Sequence, residues 1–336
     1  MGKIGCASLE FEKKPYIKAS ACVAGKKEGE GPLGPDIDKI IEKPEAGQNC
    51  WEEAESELQR QMLEILLEKG GVSRKSLRYI FAGDLLGQII ATSFAVEDYR
   101  VPLFGLYGAC STMGEAMSLA SIVVSAGYAD NVVAMTSSHF ASAEKQFRFP
   151  LDYGSQRPLS STWTVTGSGG VIISSEKSNV AIRGITTGRI IDYGVTDSMN
   201  MGAAMAPAAC DLIYQNLADF EIKPDFYDAI YTGDLGKVGQ TILIDLLLER
   251  GVDITSVHHD CGIEIFDNER QGTYSGGSGC GCSAVTLCSR IIKKLEMGEL
   301  NRVLFVPTGA LLSTTSFNEG KSVPGIAHGV ILERMN

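Results

Sequence analysis

The sequence lacks several features that would place it in a broad class of proteins. No apolar run reaches the roughly 18 residues that a membrane-spanning helix requires, and the N-terminal stretch has no apolar core that could form a signal peptide. Positive charge is scarce, because 30 Lys and Arg stand against 41 Asp and Glu and leave a formal net charge of −11. This balance argues against a nucleic-acid-binding surface. We therefore expect a soluble protein that binds no nucleic acid.

Cysteine is present, but not in a pattern that indicates a disulfide framework or a metal centre. The nine cysteines are odd in number and irregularly spaced, as expected for a reduced compartment such as the cytoplasm. A zinc site built from His259, Cys261, Cys280 and Cys282 is disfavoured, because C-x-C is shorter than the usual zinc knuckle. The glycine-rich stretches also do not match a dinucleotide fingerprint. We expect neither a metal nor a cofactor.

What is present is an alternation of strand-like and helix-like segments. Apolar residues recur at spacings of three and four in the helical segments, and short apolar runs separate them. The pattern predicts helices over 51–69, 88–99 and after Cys110, strands over 79–83, 102–108, 163–175, 180–191 and from Asn131, and a polar loop over 143–162. Such an alternation is typical of a mainly parallel α/β sheet.

The second half of the chain repeats the first. Tyr79–Leu85, "YIFAGDL", matches Ala229–Leu235, "AIYTGDL", at an offset of 150, and Asn131 matches Asn301 at an offset of 170. The second offset places Cys110 over Cys280. We therefore predict an internal duplication of two βαβαβαββ halves, 1–177 and 178–336, packed face to face.

A duplicated α/β chain with a cysteine opening the central helix of its first half resembles the thiolase superfamily. The stretches "GACST", "QFRFP", "TGDLGKVG", "HHDCG", "GGSGCGCSAV" and "TGALLS" together resemble the stage V sporulation protein AD family. This resemblance implies a five-layer αβαβα fold.

The resemblance also implies a function. Members of this family are expected to bind dipicolinic acid, with or without calcium, and to support its uptake into the developing spore. The expected partners are integral membrane proteins of the same sporulation operon and a second copy of the chain. The expected location is cytoplasmic, or peripheral at the spore inner membrane through those protein partners.

Cys110 stands where condensing enzymes of the superfamily hold their acyl-accepting cysteine. A helix N-terminus favours the thiolate, although a small residue in a tight turn would explain the cysteine equally well. The His and Asn partners that such enzymes use are missing, since "TGDLGKVG" offers only Asp234. The sequence thus favours ligand binding over catalysis. The alternative is an acyltransferase or ketoacyl-synthase-like enzyme that uses Cys110 as its nucleophile.

The candidate ligand-binding residues share hydroxyl, thiol, carboxyl, imidazole or guanidinium side chains. Hydroxyl groups and a guanidinium suit a small aromatic dicarboxylate, because both donate hydrogen bonds to carboxylate oxygens. His139 follows a predicted parallel strand, at the end where ligands usually bind. The candidates are Cys110, Ser111, Ser137, Ser138, His139, Arg148, Asp234, Ser278 and His328.

Overall fold

The computed structural model describes residues 2–147 and 156–335 of the chain. Its strands are β1 Gly2–Ile4, β2 Ser8–Glu10, β3 Tyr16–Gly25, β4 Lys39–Ile41, β5 Tyr79–Gly83, β6 Leu103–Gly105, β7 Asn131–Ser138, β8 Trp163–Thr164, β9 Gly167–Ser174, β10 Val180–Thr187, β11 Ala229–Thr232, β12 His258–Asp260, β13 Gly277–Ser278, β14 Arg302–Val306, β15 Thr308–Ala310 and β16 Gly325–Arg334. Its helices are α1 Lys26–Gly29, α2 Trp51–Gly70, α3 Ile90–Val96, α4 Thr112–Ser125, α5 Phe140–Phe147, α6 Met201–Asp219, α7 Gly236–Glu249, α8 Cys261–Glu264, α9 Cys280–Thr286, α10 Ile292–Met297 and α11 Thr314–Asn318.

The two halves build sheets with the same strand order. The first sheet runs β6-β5-β7-β9-β3 and the second runs β12-β11-β14-β16-β10. In both sheets the first three strands pair in parallel, and the fourth strand is antiparallel to its two neighbours. The sheets meet where Ala181 of β10 pairs with Tyr16 of β3. The duplication read from the sequence is therefore present in the strand topology.

Each central strand is apolar on both faces because helices cover both faces. In β7, Val132 and Ala134 point into the core between the two sheets, whereas Val133 and Met135 point into the outer core beneath α2. Strand β14 alternates in the same way between the central core and the outer core beneath α6 and α7. This period of two explains why these strands appear as continuous apolar runs.

The central helices α4 and α9 lie between the sheets. Helix α4 contacts β7 of the first sheet and β16 of the second, while α9 packs on β7 and β9. Helices α2 and α3 cover the outer face of the first sheet, and α6 and α7 cover the outer face of the second. The expected five-layer αβαβα arrangement is confirmed.

Glycines let α9 approach the first sheet closely. A Cβ atom added at Gly169 of β9 would lie 2.5 Å from the backbone of Ala284 in α9. One added at Gly281 would lie 2.5 Å from the carbonyl oxygen of Gly167. Any larger residue here would push the central helix away from the sheet.

Three local expectations need correction or qualification. The polar loop predicted from residue 143 is wrong at its start, because α5 continues to Phe147. The helix predicted over 88–99 is shorter, since α3 is flanked by two 3-10 turns. The boundary at residue 177 lies between β9 and β10 and stays a prediction, while the N-terminal hairpin β1–β2 crosses it to pair with β10.

Candidate functional site

A cavity of about 640 Å³ opens beside the N-terminal ends of α4 and α9. Its walls come from the segments after β5 and before α4, from α5 and β13, and from the segment that joins β15 to α11. Apolar side chains alternate with hydroxyl and amide groups around it. The lining residues that matter below are Gln88, Tyr107, Cys110, Glu144, Phe147 and Ser278.

Cys110 reaches the cavity from a tight turn. The preceding residue, Ala109, has a φ of 51°, a left-handed conformation that costs a non-glycine residue about 1–2 kcal/mol. Hydroxyl groups hold the turn, because Ser111 donates to the carbonyl of Gly108 and Thr112 donates to that of Ala109, both at 2.6 Å. Strained backbone of this kind persists where the surrounding structure fixes it, often at functional sites.

The second half supplies a matching cysteine. Cys280 opens α9 as Cys110 precedes α4, and its thiol donates a hydrogen bond to the carbonyl of Ala109 at 3.0 Å. Both cysteines belong to one small apolar cluster with Leu85 and Ala143. The two cysteines that the sequence repeat pairs thus lie close together beside the cavity, one from each half of the chain.

A buried carboxyl group lies directly behind Cys110. Asp234 accepts hydrogen bonds from the backbone N–H of Gly279 at 2.9 Å, from the hydroxyl of Thr308 at 3.2 Å and from the thiol of Cys110. Burial raises the pKa of Asp234 to about 7. All three hydrogen-bond donors belong to the protein, so that Asp234 is held in place behind the cavity wall.

The same environment keeps the Cys110 thiol protonated. Burial, and then the charge of Asp234, raise the pKa of Cys110 well above its ordinary value. The helix N-terminus that was expected to favour the thiolate acts in the opposite direction but is outweighed, because removal from water and a neighbouring anion both disfavour a negative sulfur. Cys110 is therefore a poor nucleophile in this arrangement.

Of the candidate ligand-binding residues, the structure brings Cys110 and Ser278 to the cavity wall. Asp234 lies behind that wall, and Ser111 turns its hydroxyl back into its own turn. Arg148 lies outside the described residues, and it follows Phe147 of the cavity wall directly in the chain.

Ser137, Ser138 and His139 do not line the cavity. The hydroxyl of Ser137 donates to Glu55 at 2.8 Å, and that of Ser138 donates to the carbonyl of Val165 at 2.6 Å. The ring of His139 stacks on Trp51 and its Nε2 bonds to a backbone carbonyl. These residues sit at the end of a parallel strand as expected, but α2 and α9 bury them, since Glu55 bonds to Ser137, Trp51 stacks on His139 and the backbone N–H of Gly281 donates to Ser138.

His328 is also separate from the cavity wall. It lies on β16 opposite Thr187, and burial lowers the pKa of its imidazole to about 4. Its Nδ1 atom is buried without a hydrogen-bond partner. The imidazole is therefore neutral at physiological pH. Among the described residues that line the cavity, none is a histidine, lysine or arginine.

The residues of the disfavoured zinc site have other partners. Nδ1 of His259 pairs with a Glu264 carboxylate oxygen at 2.8 Å, and the thiol of Cys282 donates to the carbonyl of Gly233. Within residues 2–147 and 156–335, no three His, Cys, Asp or Glu side chains converge as a metal site would require.

Sequence reasoning missed the contribution of α5 and of a buried polar network behind it. Glu144 and Phe147 line the cavity from α5. Glu55 of α2 accepts hydrogen bonds from Ser137 and from Ser142 of α5, at 2.8 and 2.6 Å. A signal was available, because the apolar face of the helix predicted over 51–69 has Glu55 inserted beside Ala54 and Leu58.

Two solved structures with a similar architecture are a thiolase and a 3-oxoacyl-[acyl-carrier-protein] synthase. The chain aligns over 96% of its length with all of a thiolase from Ascaris suum in complex with coenzyme A, at 10% identity and a TM-score of 0.59. It aligns over 95% with 99% of 3-oxoacyl-[acyl-carrier-protein] synthase III from Aquifex aeolicus, at 12% identity and a TM-score of 0.57. At these identities the likeness shows the fold alone. The chain therefore has a thiolase-like fold, with Cys110 in the turn before its central helix α4.

A narrower family is shown by the sequence comparisons. Residues 5–333 match the family model of stage V sporulation protein AD, and the chain belongs to that family. It is 43% identical over 324 residues to stage V sporulation protein AD of Bacillus subtilis, with 96% of each chain covered. In the part of the chain that the structure describes, no helix is both long enough and apolar enough to span a bilayer.

Proposed function

We propose that this protein binds dipicolinic acid, alone or with calcium, in the cavity beside Cys110 and supports its uptake into the developing spore. Membership of a sporulation protein family supports the cellular context. The cavity of about 640 Å³ falls within the range of about 300–1,000 Å³ that is usual for small-molecule sites.

The observation that carries this proposal is the state of Cys110. Its thiol is held protonated by burial and by Asp234, and the described cavity wall offers no imidazole that could remove the proton. A condensing enzyme needs an activated nucleophile and groups that stabilise the developing oxyanion. The geometry supports a thiolase-like scaffold that has kept its cavity and lost the chemistry.

The cavity suits a small aromatic dicarboxylate in shape and in hydrogen bonding. Tyr107 and Phe147 offer flat apolar surfaces, while Gln88 and Ser278 offer hydrogen-bond donors. We assign the charge complement to Arg148, which follows Phe147 in the chain. A guanidinium binds a carboxylate with two parallel hydrogen bonds.

Calorimetric titration with dipicolinate tests the proposal. Replacing Arg148 by alanine should weaken binding by about 1.5–3 kcal/mol, because a charge-assisted hydrogen bond is lost, and Ser278→Ala should cost about 1 kcal/mol. The exposed hydroxyl of Ser76 lies far from the cavity, so that Ser76→Ala serves as the matched control. Unchanged affinity in both cavity variants would assign the ligand to another site.

The competing function is an acyltransferase that uses Cys110, favoured by the position of this cysteine at the start of the central helix. Incubation with acyl-coenzyme A followed by intact-protein mass spectrometry distinguishes the two functions. Our proposal predicts no acyl adduct on Cys110. A stoichiometric adduct that is absent from the Cys110→Ala variant would establish the enzyme instead.

The protein partners in this proposal are a second copy of the chain and integral membrane proteins of the same operon, which would hold the protein at the spore inner membrane. An apolar surface supports the first partner. Exposed apolar side chains lie on the edge strand β6, on α4 and next to them, namely Phe104, Tyr107, Leu119 and Tyr128, with exposed fractions of 37–75%. An exposed edge strand with apolar side chains is a template for pairing with another strand.

A further inference from the structure

Carboxyl groups accumulate behind the cavity wall. Asp234 is 1% exposed and contacts Cys110 and Gly279, which both line the cavity. Asp84 and Glu55 are also fully buried, and the charges of both act on the Cys280 thiol. An anionic ligand in this cavity therefore approaches a region that already contains acidic groups.

Two carboxyl groups lie next to the proposed ligand, Glu144 on the cavity wall and Asp234 directly behind it, and the hydrogen-bond donors of Asp234 are neutral. They are the backbone of Gly279, the hydroxyl of Thr308 and the thiol of Cys110. The titratable groups that act on it from the neighbouring elements are acids or thiols. They are Cys110 before α4, Cys280 and Cys282 of α9, Asp260 of β12 and Cys261 of α8.

We infer that binding of a dicarboxylate in this cavity is coupled to the uptake of one proton by Asp234. The inference rests on the proposed function, since it needs an anionic ligand. Two like charges repel strongly when both are shielded from water. A proton from the solvent that binds to a carboxylate oxygen of Asp234 removes that repulsion, and no other bond forms or breaks.

Asp234 is poised for this role near neutral pH. Burial raises its pKa to about 7, so that the free protein contains both the ionised and the protonated form. A bound anion raises the pKa of Asp234 further, and the ligand therefore selects the protonated form. Because the carboxyl groups of dipicolinic acid are stronger acids, the ligand stays ionised throughout this range.

The coupling predicts how affinity depends on pH. The dissociation constant should rise as pH rises through the pKa of Asp234, by up to about tenfold per pH unit for one proton taken up. Below that pKa the carboxyl group is already protonated in the free protein, so that Asp234 should make no contribution to the pH dependence of the affinity.

Calorimetry in buffers of different ionisation enthalpy, from about pH 6 to about pH 9, measures the proton uptake directly. Wild-type protein should take up a fraction of a proton per dipicolinate that is greatest between the pKa of Asp234 in the free protein and its higher pKa in the complex. The Asp234→Asn variant should bind with no such uptake and with a flat pH profile. Glu28→Gln is the matched control, because Glu28 is an equally buried carboxyl group whose pKa burial raises to about 7, which accepts a hydrogen bond from the backbone N–H of Thr166 and is not among the residues that line the cavity.

The possible outcomes distinguish a failure of this inference from a failure of the proposed function on which it rests. Tight dipicolinate binding by the wild-type protein without proton uptake would overturn the inference and leave the proposed function standing. Undiminished proton uptake in Asp234→Asn would assign the proton to another group and overturn it as well. Absence of dipicolinate binding at every pH would contradict the proposed function itself, and the inference with it. The wild-type measurement can overturn the inference even if the variant does not fold.

Discussion

At the scale of single residues, Cys110 lies at the N-terminal end of α4, a position that favours a reactive thiolate, but its thiol stays protonated. The helix that follows it stabilises negative charge at its N-terminus by about 0.3–1 kcal/mol. Burial and the adjacent Asp234 act against that charge and raise the thiol pKa well above its ordinary value. The net effect is a cysteine that contributes shape and a weak hydrogen-bond donor to the cavity.

This state predicts slow alkylation of Cys110. At neutral pH, iodoacetamide should modify the exposed Cys6 and Cys50 well before Cys110, because the thiolate is the reacting form and Cys110 rarely forms it. Mass spectrometry of proteolytic peptides over a time course measures all three sites in one sample. Preferential labelling of Cys110 would indicate an activated nucleophile and would favour the acyltransferase.

The structure places two of the sequence candidates, Cys110 and Ser278, on the cavity wall. The candidates at the end of β7, Ser137, Ser138 and His139, lie away from that wall. A strand pattern fixes where Ser137 and His139 lie along the chain, and it does not show which element covers them. Helix α2 covers them, because Glu55 bonds to Ser137 and Trp51 stacks on His139. The predicted polar loop over 143–162 also overlaps residues 143–147 of α5, so that the pattern hides the end of that helix. The position of Glu55 between Ala54 and Leu58 on the apolar face of α2 indicates burial, but the pattern does not show its partners Ser137 and Ser142.

At the scale of elements, a polar network joins α2, α3, β7 and α5 behind the cavity. Glu55 of α2 bonds to Ser137 and Ser142, and Gln59 donates to Ser137 and to Thr92. Burial, and then the nearby Asp84, raise the pKa of Glu55 above its ordinary value. The folded protein consequently binds a proton here that the unfolded chain releases at lower pH.

This network predicts a pH dependence of stability. A carboxyl group whose pKa is higher in the folded state stabilises the fold below its unfolded pKa, and that contribution is lost as pH rises through the folded pKa. The free energy of unfolding should therefore fall as pH rises above the ordinary glutamate value, and Glu55→Gln should reduce this slope. Denaturant titrations at several pH values measure it. An equal slope in Glu55→Gln and wild type would remove Glu55 as the cause.

The regular elements were predictable because the spacing of apolar residues along the chain shows which side chains are buried. Strands β5 and β7 and helices α2 and α4 lie where the apolar spacing placed them, since each buries a face or a stripe against the same cores. The internal repeat predicted two halves packed face to face, and the resemblance to the thiolase superfamily implied the five-layer fold.

At the scale of the whole molecule, the two halves meet at the cavity and leave one apolar edge uncovered. We expect this edge to form a two-fold dimer through β6. Phe104→Lys should yield a monomer, because the charge would be buried at the interface at a cost of several kcal/mol, whereas Leu248→Lys on α7 should leave the dimer intact. Light scattering at micromolar concentration measures both. A wild-type monomer would contradict this expectation.

The central claim is that the cavity beside Cys110 binds a small aromatic dicarboxylate without reacting with it. A crystal structure of the protein grown with dipicolinate tests this claim most directly. The account predicts the intact ligand between Tyr107 and Phe147, with a carboxylate within hydrogen-bonding distance of Ser278 and an unmodified Cys110. An empty cavity with ligand bound elsewhere, or a covalent bond to the Cys110 sulfur, would contradict it.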